Sequence, residues 1–194
     1  MRYSDPTGAW ILNTNQFAPQ KMYQNDNRWS SHQFVNFENK TIGKIGCALT
    51  AMANGMSALA NYQSILAGGP EVRGYTPDFM NKNSSKDDVG ADFEKFANLI
   101  TKQTGLKTTL IDTKNANQVK NQKDTKTAAL VFAHMKTSGS EGEHWININA
   151  VNKDGSFNGS DVLAGSDGKT CAKDYSRSNP ENYDRFIIIK VEIE

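Results

Sequence analysis

Four side chains of this sequence have the types and order of a thiol nucleophile and its supports. Cys47 stands in Ile45-Gly46-Cys47-Ala48-Leu49-Thr50-Ala51-Met52-Ala53, at the head of a helical pattern. A helix start presents backbone N–H groups and the positive end of the helix dipole, which favour thiolate over thiol. His144 opens a strand pattern in Glu143-His144-Trp145-Ile146, directly after the Gly/Ser-rich loop 138–142, which would admit a substrate to the imidazole. Asp161 lies across an expected hairpin from His144, where an antiparallel neighbour brings a carboxylate beside the ring. Upstream, Gln24 carries a neutral amide donor of the kind that stabilises an oxyanion. Nucleophile, acid/base, orienting group and oxyanion donor are the four parts of a cysteine hydrolase.

Positioning these groups falls to a helix and a hairpin. From Cys47 to Tyr62 the apolar residues Leu49, Met52, Ala53, Met56, Leu59 and Ala60 recur at three- and four-residue steps, predicting a helix with one buried face and a weak point at Gly55. Thr76-Pro77-Asp78 supplies a cap, a first-turn proline and a first-turn acid for a short helix. A third helix is expected from a cap at Asp88 through Phe93, Phe96, Ala97 and Ile100 to a stop near Gly105. The period then changes to two, over about 106–111, 128–133, 144–151, 156–163 and 186–193, which predicts strands. Asn152-Lys153-Asp154-Gly155 is the turn of an antiparallel hairpin. Its simplest register sets residue 163 or so opposite 144, with Asp161 a pair or two away and a bulge at Gly159.

Helices first and strands later make an α+β domain, an N-terminal helical layer packed on a mainly antiparallel sheet. Residues 1–20, with Pro6, Gly8 and Pro19 among the isolated aromatics Trp10 and Phe17, read as an extended arm on the body or on a partner. Residues 21–194 then form one domain, in which 22–39 is a packed loop.

Composition removes several function classes. Acidic and basic residues nearly cancel, to a net charge of +1, and are scattered, so a nucleic-acid or polybasic membrane binder is not expected. No apolar run is long enough to span a membrane, and the first residues lack the apolar stretch of a signal peptide. Cytoplasm, a phage particle and a signal-independent export route stay equally open. Three histidines at irregular spacing, with no His-x-x-x-His or Cys-x-x-Cys pair, give no zinc signature, and no cofactor or metal is expected. Gly68-Gly69-Pro70 lacks the Lys-Ser/Thr of a phosphate loop and reads as a turn. Two cysteines exclude a disulfide-rich scaffold, although one Cys47–Cys171 bridge stays open. Abundant Asn, Lys, Thr and Ser fit a low-GC bacterial or phage genome.

Other residues compete for the same roles. His134, at a strand end, rivals His144, but a strand-end histidine bonded to backbone or water is the ordinary reading, as it is for His32 in the aromatic loop. Cys171, in the polar stretch 168–173, reads as a bystander. Asp87-Asp88 and Glu141/Glu143 read as solvated loop charges, and Trp10, Trp29 and Trp145 as packing groups.

The ordered set Gln24-x-Asp26-x-x-Trp29, Gly46-Cys47-Ala48-Leu49-Thr50-Ala51-Met52-Ala53, Tyr75-Thr76-Pro77, Gly142-Glu143-His144-Trp145, Asp154-Gly155 and Asp161 resembles the papain-like bacteriocin-processing (double-glycine leader) peptidase group. Its stand-alone relatives are the nearer likeness, over about residues 22–165. The resemblance implies a papain-like cysteine peptidase fold, with Cys47 as nucleophile, His144 as general acid/base, Asp161 as orienting carboxylate and Gln24 as oxyanion-hole amide. The chain departs from the pattern at Val162-Leu163, since relatives often follow this aspartate with proline, and in polar insertions at about 81–88 and 114–126. No transporter membrane region follows, so a leader-peptide exporter is not expected. The implied reaction is amide cleavage through a thioester acyl-enzyme, on a protein, a peptide or, preferably, a bacterial cell-wall peptide. Two other classes stay open: a catalytically silent virion- or surface-associated binding module that docks a larger assembly through the arm, and an effector that deamidates or acylates a protein.

Overall fold

The computed structural model describes residues 11–35, 37–85, 91–122, 127–136 and 144–193. In chain order the elements are α1 (Thr14–Phe17), the short hairpin β1 (Gln33–Phe34) and β2 (Phe37–Thr41), α2 (Ile42–Ile45), α3 (Cys47–Leu66), α4 (Pro77–Ser84) and α5 (Phe93–Thr104). There follow β3 (Thr108–Thr113), α6 (Ala116–Lys120), β4 (Thr127–Met135), β5 (Trp145–Val151), β6 (Phe157–Ser160), β7 (Asp174–Ser178), a 3-10 turn at Pro180–Asn182 and β8 (Tyr183–Glu192). Strands β3 to β8 form one antiparallel sheet in the order β3-β8-β4-β5-β6-β7, with the helices α3, α4 and α5 layered on one face. This is the expected α+β arrangement.

The last strand is inserted between β3 and β4, and its sequence says why. Phe186-Ile187-Ile188-Ile189 is apolar without alternation because both faces are covered. Ile187, Ile189 and Val191 join the core under the helices, whereas Phe186 and Ile188 join a second core on the opposite face with Val119, Ile148 and Phe157. That second core also takes Ile11, whose neighbour Leu12 donates its N–H to the Ala129 carbonyl at 2.8 Å. Residues 11–20 of the expected arm are therefore seated in the body: Leu12 and Phe17 are buried, and Phe17 packs edge-on against Tyr62 at 5.1 Å.

Helix α3 differs from the one-faced helix that periodicity predicts. Every residue from Cys47 to Tyr62 is buried. Its polar residues, which mimic a solvent face in the sequence, instead close backbone bonds of loops: Asn54 accepts from Met22 N and donates to Met22 O, Asn61 donates to Phe17 O, and Ser57 to Tyr75 O. Each bond satisfies a group that would otherwise be buried without a partner, a loss of about 1–3 kcal/mol. Gly55 is less a weak point than a contact, because a Cβ there would stand 3.3 Å from the Phe132 ring of β4. Burial of Leu49, Met52, Met56 and Leu59 stabilises the helix by roughly 1.5–3 kcal/mol per side chain.

Thr76 caps α4 as expected, with its hydroxyl oxygen accepting from Phe79 N. The cap of α5 is Asp92, which accepts from Glu94 N and Lys95 N, whereas the expected cap Asp88 lies outside the described residues. Gly105 ends that helix at φ 74°, a left-handed conformation suited to glycine. Local periodicity missed α6, β7 and the β1–β2 hairpin, all short and polar. Among the described residues no helix is long and apolar enough to cross a membrane.

Candidate active site

Cys47 is the first residue of α3, and the turn before it requires glycine. A Cβ on Gly46 would stand 2.5 Å from the Ile42 carbonyl oxygen, which accepts the Gly46 N–H at 2.8 Å. This single-residue link packs α2 against the start of α3 and sets the buried thiol at the helix N-terminus. The sheet anchors that end too, as Asn147 of β5 donates to the Ala51 carbonyl at 3.0 Å, one turn along the helix.

His144 precedes β5, where its carbonyl accepts from Met135 N at 2.9 Å. The hairpin register is Val151↔Phe157 and Ala150↔Asn158, then Ile148↔Gly159 and Asn147↔Ser160. The extra residue is Asn149 on β5, not the expected Gly159. Asn149 Oδ1 accepts from both Thr14 N and Thr14 Oγ1 at 2.8 Å, so docking of the N-terminal segment draws it out of the ladder. Beyond that bulge the strands carry His144 and Asp161 together, His144 Nε2 lying 2.9 Å from Asp161 Oδ1.

Asp161 is buried and fully engaged. Oδ1 also accepts from Leu163 N at 3.0 Å, and Oδ2 from Lys173 N at 3.2 Å. Burial alone would raise its carboxyl, but the His144 bond and these backbone donors outweigh that and hold it below the usual carboxylate range. Burial likewise pulls the His144 imidazole down, yet its hydrogen bonds to Asp161 and to the Cys47 side chain prevail and push it up to about 9. Since Asp161 takes Nε2, the other ring nitrogen, Nδ1, is the one left to face the sulfur. A sulfur, an imidazole that keeps its proton through neutral pH and a buried carboxylate thus form one hydrogen-bonded chain.

Gln24 joins this group from the loop after α1. Its N–H donates to the Val162 carbonyl at 2.7 Å, beside Asp161, and its Nε2 donates to the Gly43 carbonyl at 3.1 Å, on α2. A primary amide has two N–H donors, and Gly43 occupies one. Val162 is in the core, so the departure from proline at this position leaves the aspartate anchored.

The other candidates stand apart. His134 bonds Asp184 through Nδ1 at 2.6 Å and lies tilted against Trp145, and His32 pairs with Asp78 at 3.0 Å on α4. Trp29 and Trp145 are packing groups, while Trp10, Glu143 and loop 138–142 lie outside the described residues. Neither Cys47 nor Cys171 is in a disulfide, so the bridge left open between them is not formed. Cys171 is nevertheless close to the site: its sulfur lies 3.7 Å from the Asp161 carbonyl oxygen and 2.7 Å from Lys21 Nζ. No local pattern flags these two residues, because the contact spans 150 positions. No family model matches this chain, and no curated protein matches it, so what the site does must be read from its geometry.

Proposed function

We propose that the protein is a cysteine hydrolase of papain-like fold that cleaves an amide bond through a thioester. The observation that carries this reading is the hydrogen-bonded chain from Cys47 through His144 to Asp161. An imidazole that holds its proton to about 9 beside a sulfur is a proton donor in place for a leaving group, the acid half of such a pair. The thiolate attacks the carbonyl carbon, and the oxyanion that forms is held by the Cys47 backbone N–H and the second amide hydrogen of Gln24. As the C–N bond breaks, His144 gives its proton to the leaving amine. Water then loses a proton to His144 and attacks the thioester, releasing the acid and restoring the sulfur. Asp161 keeps the ring oriented throughout.

A peptide cross-link of the bacterial cell wall is the preferred substrate, ahead of a protein or a free peptide. The test has two parts. Iodoacetamide should modify Cys47 much faster than Cys171 at pH 6, and His144→Ala should remove that advantage. Purified cell wall should release new amino groups with the native chain and none with Cys47→Ala. Equal reactivity of the two thiols would sink the hydrolase and leave a binding module.

A further inference from the structure

Lys21 crosses from the segment after α1 to the far side of the site. Its Nζ contacts Ser160 Oγ at the end of β6, and Cys171 Sγ lies 2.7 Å from the same nitrogen. Tyr23 flanks the sulfur, and its hydroxyl donates to the Lys169 carbonyl at 2.8 Å. Burial and then the neighbouring sulfur push that phenol up to about 12, so it stays a proton donor. A nitrogen–sulfur separation of 2.7 Å is inside van der Waals contact and shorter than an N–H···S hydrogen bond, because the sulfur lone pairs are diffuse. One oxygen atom with ordinary N–O and O–S bonds spans that gap. Both residues are partly accessible, and Cys171 is in no disulfide.

We propose that Lys21 and Cys171 are an oxidative modification site, joined by dioxygen into a covalent N–O–S bridge. The amine, after giving its ammonium proton to solvent, and the thiol each lose one hydrogen. One oxygen atom bridges nitrogen and sulfur, and the other leaves as water: Lys-NH2 + Cys-SH + O2 → Lys-NH-O-S-Cys + H2O. Nitrogen and sulfur are each oxidised by two electrons, and dioxygen takes up all four. Excess thiol reverses the reaction, releasing the bridging oxygen as water. The bridge clamps the segment bearing Gln24 to the loop bearing Asp161, and it requires nothing of Cys47.

Intact and peptide mass spectrometry tests this on the Cys47→Ser chain, which removes the competing thiol, in oxygen-saturated against anaerobic buffer. The expected product is a cross-linked peptide pair joining Lys21 to Cys171 with one oxygen gained and two hydrogens lost. It should form only with oxygen, revert in excess dithiothreitol, and be missing from Lys21→Arg and Cys171→Ser. A chain that stays unlinked in oxygen, or a link that carries no added oxygen, overturns the proposal.

Discussion

Two histidine–aspartate pairs sit at adjoining strand ends, and they differ in what surrounds them. His134 and Asp184 approach to 2.6 Å, His144 and Asp161 to 2.9 Å. The shorter bond is the less consequential one. Asp184 is 47 % exposed, so water screens its charge, whereas Asp161 is 1 % exposed and held by two further backbone donors. The second nitrogen of His144 has a thiol to serve. That of His134 is buried with no hydrogen-bond partner among the described residues, and its ring packs at a tilt against Trp145, centroids 5.0 Å apart. An imidazole–carboxylate bond is therefore common to both regions, and burial together with a third partner distinguishes the His144 pair, on which the proposed chemistry rests, from the His134 pair.

The sharpest way to break this contrast is to remove each imidazole. His144→Ala should lower amide cleavage by on the order of 10⁴-fold, whereas His134→Ala should leave turnover within about twofold, since its contacts are with Asp184 and Trp145. Equal losses would show that the two pairs act alike. Next in size, Asp161→Ala should slow turnover by about 10²–10³-fold and cost about 3 kcal/mol in urea unfolding, because it strands His144 and the N–H groups of Leu163 and Lys173. Asp184→Ala should shift stability by less than about 1 kcal/mol.

Gln24→Ala should reduce turnover by about 10²-fold while iodoacetamide reactivity of Cys47 is unchanged, because alkylation forms no oxyanion. Parallel losses in both assays would make Gln24 a positioning residue instead. The gentlest probe is pH. The folded His144 is raised above its ordinary 6.5 to about 9, so its stabilising effect is complete below 6.5 and fades as pH rises through about 9. Asp161 is lowered, so its contribution is present above the ordinary carboxylate range and fades as pH falls through its depressed value. Melting temperature against pH should show both limbs, and His144→Ala should abolish the alkaline one while His134→Ala keeps it.

Much of the site was legible in the sequence because its signals are local. A helix start at Cys47, a strand start just after His144 and a turn at Asn152–Gly155 each follow from periodicity and turn chemistry within a few residues, and together they set which strands pair. The burial of α3 was less legible. Asn54, Ser57 and Asn61 have the polarity of a solvent face, and only the loops that fold over them reveal them as backbone partners. The Asn149 bulge and the Lys21–Cys171 contact were not legible at all, since each depends on a segment more than 130 positions away.

By itself the sequence determined the α+β class, the helix that presents Cys47 and the hairpin that carries His144 toward Asp161, because hydrophobic period and turn residues act over short range. Tertiary structure alone decided how His144 is held between Cys47 and Asp161, why Asp161 stays charged while buried, and that Cys171 borders the site. Burial and hydrogen bonding between distant segments set those properties, and no local pattern encodes them.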